Sequence, residues 1–128
     1  MPVNSILEDV RDPLRTALLG VAASVYSSVP EAVIPPACII LYDSPMMEST
    51  LIGKASVKVK LNFLVTAAVA YNSNSGSLDN LEKLLIEILG AIPSGYVVGD
   101  VQRPSITSVG ASNLLVADLS ISTYYTQT

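Results

Sequence analysis

The sequence predicts an α+β fold: a single domain spanning residues 1–128, built as a mainly antiparallel sheet of about four strands with two helices packed on one face. The expected order is α-β-β-α-β-β. Three observations predict it. Two segments, 5–25 and 77–92, repeat apolar residues at helical spacing. After each come two segments with strand character, 37–43 and 55–71, then 96–109 and 114–125. The length suits one domain whose core needs no staples.

In the first segment Leu7, Val10, Leu14, Ala17, Leu18, Val21 and Val25 fall on one helical face. Ser5 and Glu8 fit a capping box. Pro13 either kinks this helix or begins it, with Asp12 as cap and Pro13 in the first helical position. Val29-Pro30 ends it, and 30–36 is a proline-bearing connection. The run 37-ACIILYD-43 is apolar on both faces, as in an inner strand. Residues 44–54, with Pro45, Met46 and Met47, read as a loop.

The stretch 54-KASVKVKLNFLVTAAVA-70 alternates cleanly at first. Odd positions from Val57 to Val65 are apolar, while Lys58, Lys60 and Asn62 are polar. Leu64, Ala68 and Ala70 then blur the polar face. At 3.3 Å per residue the run spans about 50 Å. The radius of gyration of such a domain is only about 14 Å. A bend or bulge near Asn62–Leu64, or a projecting hairpin arm, reconciles the two.

The tract 72-NSNSGS-77 is turn-rich, and Ser77 suits an N-cap for the second helix. Leu78, Leu81, Leu84, Leu85, Ile88, Leu89 and Ile92 form its apolar stripe, opposite Asp79, Glu82, Lys83 and Glu87. Gly90 and Pro93 close it. Strand 96–109 is broken near Arg103-Pro104, and Gly95 and Gly99 suit turn or bulge positions. In 114–125, Leu115, Ala117, Leu119, Ile121 and Thr123 share one face, with Asp118, Ser120 and Ser122 on the other.

Composition narrows the function. Half the residues are hydrophobic, yet only 14% are charged. That is well below the usual quarter or so, and a surface so poor in charge points to cover by another subunit. The net charge of −4 and the lack of a basic run argue against nucleic-acid binding by phosphate neutralisation. With no histidine, the commonest general base and metal ligand is missing. Cys38, the one cysteine, sits in an apolar run that suits a buried thiol. Phosphate-binding, nucleophile-elbow and paired-cysteine motifs are absent from the sequence. Most acids fall in helix first turns or on wet faces; Asp100 and Asp118 lie in strand regions with no motif around them. No enzyme activity, cofactor or metal is expected. Glu8, Asp9 and Asp12 stand where a secretory signal carries basic residues, and no apolar run is long enough to span a bilayer. The expectation is a soluble protein made in a cytoplasm.

Three surfaces are candidates for contact. Lys54, Lys58 and Lys60 share one strand face, readable as a solvated edge that resists aggregation or as a docking face for an acidic neighbour. Met46, Met47, Leu51 and Ile52 lie in the expected loop, which either folds back on the domain or orders against a partner. Leu64, Ala68 and Ala70 are small or apolar and suit close approach by another subunit. Tyr124 and Tyr125 finish the last strand.

In element order and texture the chain resembles the tail terminator (tail-completion, minor tail) proteins of long-tailed siphophages. A small acidic protein has an N-terminal helix and a proline-bearing lead into a strand. A long strand follows across a segment of loop character, then a helix ending in 89-LGAIPSG-95 and a strand pair in 96–125. The resemblance covers nearly the whole chain, and no signature motif carries it. It implies a virion protein, assembled in the host cytoplasm, that forms a hexameric ring on the head-proximal end of the tail tube. Such a ring stops tube polymerisation and presents the head-attachment surface. The implied partners are copies of the chain, the tail tube protein and a head–tail connector protein. DNA passes through the lumen without specific binding, which an acidic or neutral bore favours. The resemblance also implies a mobile loop between two strands that orders on assembly, for which 44–54 is the match. Two alternatives stand beside it: another ring-forming phage component, such as a connector or tube subunit, or an unrelated cytoplasmic α+β ligand-binding domain with a pocket of converging polar groups.

Overall fold

The computed structural model describes residues 10–21, 24–26, 35–53, 57–71, 75–109 and 112–127. The long alternating strand forms as expected: β3 (Val57–Ala70) lies at the centre of the sheet. It pairs antiparallel with β6 (Ser112–Gln127) from Val57↔Gln127 to Ala70↔Leu114 without a register shift. On its other side it pairs antiparallel with β2 (Ala37–Ile52).

The architecture is α+β, a single domain with six strands in one open, mostly antiparallel sheet and two helices. Two strands exceed the expected set. β1 (Ser24–Tyr26) adds parallel to the start of β2. The segment 96–109 divides into β4 (Val97–Val101) and β5 (Ser105–Val109), which share the outer edge of β6. The break falls at 102–104, where Pro104 has no N–H for a ladder. The element order is therefore α-β-β-β-α-β-β-β.

Helix α1 (Asp12–Leu18) carries Pro13 in its first turn, but Asp12 lies inside the helix and does not cap it: Arg11 flanks it with helical backbone angles, and residues 10–11 form a π-helical turn ahead of it. The proposed cap at Ser5 and Glu8 lies outside the described residues. The helix stops at Leu18, short of the expected end. Its apolar stripe continued to Val25 only because a single buried residue satisfies a helical and a strand period alike; Val25 is a strand residue beside Cys38. Helix α2 (Ser75–Ala91) begins two residues before the expected cap, and Ser77 is buried inside it. Leu81, Leu84 and Ile88 are buried, while Leu78, expected in the same stripe, is 46% exposed.

Both helices cover one sheet face. Leu14 and Leu18 of α1 and Leu81, Leu84 and Ile88 of α2 join Val59, Leu61, Phe63, Val65, Ala67 and Val69 of β3 and Leu115, Ala117, Leu119, Ile121 and Tyr125 of β6. Tyr42 stacks on Phe63 with ring centroids 4.9 Å apart. The opposite face has its own small cluster: Ala37, Ile39, Ala68 and Leu114, flanked by Tyr26, Leu41 and Val116. This second cluster explains why β3 loses its polar alternation partway along. Ala68 is apolar because it belongs to this packed patch, and Leu64 pairs with Leu41 at its margin, while nearer the hairpin the same face carries Asn62, Lys60 and Lys58. Within the apolar zone the Thr66 hydroxyl donates to Asp118 Oδ1 at 2.7 Å, joining β3 to β6.

Candidate functional site

The segment expected as a loop, 44–54, is mostly strand. β2 runs through Pro45 to Ile52 and pairs again with β3 from Met47↔Leu61 onward. Pro45 is tolerated because it sits in a bulge: β2 steps from Tyr42 to Met47 while β3 steps only from Phe63 to Leu61. Asn62 faces the bulge and ties it down, donating from Nδ2 to the Pro45 carbonyl (3.0 Å) and to Glu48 Oε2 (2.9 Å). The irregularity expected near Asn62–Leu64 thus lies in the partner strand, and β3 itself stays continuous. A second shift separates Ser49↔Val59 from Leu51↔Lys58.

At the bulge Met46 and Met47 are 45% and 40% exposed. Leu51 and Ile52 lie beyond it in β2, opposite Lys58 and Val57. Lys54 lies outside the described residues. Lys60 sits 3.8 Å from Glu48, and the Lys58 ammonium lies over the Tyr124 ring, 5.1 Å from its centroid. These are solvent-accessible contacts of small energetic worth. They give both lysines partners within the chain. Leu64 is half-buried between Leu41 and Ser120, and Ala70 is exposed. Ala68 is fully buried, so its side chain offers no surface to a neighbour.

The other edge carries a surface that the sequence did not reveal. Every residue of β4 is exposed, with Val97 at 60%. Ile106 of β5 is 56% exposed. β4 is bulged between Val98 and Val101. At the bulge a side chain on Gly99 would meet the Ser120 carbonyl oxygen at 3.1 Å, so the backbones approach closely there. The sequence shows 97-VVGDV-101 only as part of a strand, because an edge valine and a core valine look the same in sequence. The only local signals of an edge are Gly99 and Pro104.

No family model matches the chain, and no curated protein does either.

Little in the remainder suggests reactive chemistry. Burial pushes the Cys38 thiol up to about 12, far from thiolate reactivity. Burial also raises the Tyr96 phenol, whose hydroxyl donates to the Val10 carbonyl. Among the described residues no three Cys, Asp or Glu side chains gather as metal ligands, and no helix is long and apolar enough to cross a membrane. A cavity of about 390 Å³ opens between α2 and the entry to β2, lined by Val21, Pro35, Pro36, Asn80, Lys83 and Glu87 among others.

Proposed function

We propose that this chain is a structural subunit that assembles with copies of itself, and that it serves as the tail terminator of a long-tailed phage. In this role a ring of subunits caps the head-proximal end of the tail tube, ends its polymerisation and offers the head-attachment surface. The observation that carries the assembly reading is the exposed apolar side chains on both edges of the sheet, Met46 and Met47 on one and Val97, Val98, Val101 and Ile106 on the other. Two different patches on opposite edges suit a head-to-tail contact, the kind that closes into rings. The low charge content supports the same reading. The terminator role rests on the resemblance in element order, which the extra strand β1 and the division of 96–109 modify without disturbing the sequence of helices and long strands.

Negative-stain images of the purified protein test it. Isolated rings of uniform size are expected. Long tubes would point to a tube subunit instead. The cavity beside α2 favours a second reading, a ligand-binding domain, because Asn80, Lys83 and Glu87 reach it together. Particles no larger than a monomer, with a small molecule retained in that cavity, would establish that reading in place of assembly.

A further inference from the structure

We propose that the contact between copies is made by the Met46–Met47 bulge of one subunit against Val97 and Val98 of the next. This rests on the assembly reading above and names the surfaces that join.

The argument is one of height in the sheet. Val97 pairs with Ser122, Ser122 with Asn62, and Asn62 faces the bulge between Tyr42 and Met47. Val98 pairs with Ile121, Ile121 with Phe63, and Phe63 with Tyr42. The two exposed patches therefore lie level with each other on opposite edges of the same sheet. Rotating one copy about an axis along the strands preserves that level, so the methionines of one copy meet the valines of the next. Ser112–Gln127 runs the same way as Ala37–Ile52, and Val97–Val101 runs the opposite way, so the meeting strands are antiparallel. Both edges are bulged at this height, β2 between Tyr42 and Met47 and β4 between Val98 and Val101. Bulges interrupt the row of backbone groups that extends a sheet without limit. Side chains then carry the contact, and unbranched, adaptable methionines suit a facing surface of valines.

Disulfide trapping tests this. In a Cys38→Ala background, one variant carries Met46→Cys with Val97→Cys and a second carries Met47→Cys with Val98→Cys. Each is oxidised under mild conditions, run on a non-reducing gel and weighed by light scattering. A ladder of covalent multimers is expected from at least one double variant, with monomer alone from every single variant. A single variant at Val97 or Val98 that traps dimers efficiently would overturn the proposal in favour of a two-fold contact. Particles heavier than a monomer without any ladder would overturn this contact and leave the assembly reading standing. A parent protein that weighs as a monomer throughout would sink both. As an independent measurement, Val97→Lys should weaken self-association at least tenfold without changing the unfolding midpoint measured at dilutions where both proteins are monomeric; unchanged association would contradict the proposal.

Discussion

Between β3 and β6 the ladder runs from Val57↔Gln127 to Ala70↔Leu114 without a shift, whereas the strands flanking them, β2 and β4, both break register. The difference follows from what each strand buries. β3 is packed against the helices through Leu61, Phe63, Val65 and Ala67, all 0% exposed, and a slip of one residue would move that set to the other face. Its register is therefore fixed by side chains along most of its length. β2 beyond Tyr42 and all of β4 bury little, so bulges cost little there and limit uncontrolled edge pairing. The interior of the sheet thus specifies the fold, and the irregular edges leave apolar side chains free for contact.

Substitutions should separate the two regions sharply. Phe63→Ala removes a fully buried ring stacked on Tyr42 and should cost about 3–5 kcal/mol in urea unfolding. A cost near zero would mean that the centre of the sheet is not the organising core.

High pH should come next. Cys38 has its thiol raised by burial from 9.0 to about 12, so its neutral form is favoured in the folded state. That contribution is fully present below pH 9 and is lost as pH rises from 9 toward 12, because the unfolded thiol ionises first. The raised Tyr96 phenol acts in the same direction at higher pH. Unfolding midpoints measured from pH 7.5 to 10.5 (about neutral to well past a free thiol's pKa) should fall, and fall less in Cys38→Ala. Equal slopes in the two proteins would contradict a buried thiol.

Edge changes should be milder. Gly99→Ala places a methyl against the Ser120 backbone and should cost about 1–2 kcal/mol. Asn62→Ala removes the two hydrogen bonds that hold the bulge and should cost about 1 kcal/mol. Its clearer signature is faster amide exchange at Met46–Glu48, with exchange at Val65–Ala67 unchanged. Acceleration spread evenly over both strands would mean that the bulge is not an independent unit. Val97→Lys should change stability by less than about 0.5 kcal/mol.

The same contrast explains what could be read from the sequence. The interior was legible because burial writes itself as period: Val57 to Val69 in β3 and Leu115 to Ile121 in β6 alternate as core strands do. The edges were not. The segment 44-SPMMESTLIGK-54 looked like a loop because a proline suits a loop and a bulged strand alike, and what makes it a strand is its pairing with β3 on either side of the bulge. β1 is too short for a period, and Val25 fell on the extrapolated stripe of α1. The candidate contact residues divide the same way. Met46 and Met47 stood out as apolar residues in an expected loop, while Val97 and Val98 carried no sign of which side of the sheet they would border. The role of Asn62 depended on a carbonyl 17 positions away in sequence.

The mass of the purified protein in solution, followed by multi-angle light scattering across a wide concentration range, tests the central claim most directly. If the apolar edges join copies of the chain, the mass settles on one fixed multiple of 13.5 kDa and does not grow further. A mass that stays at one chain at every concentration would contradict the account.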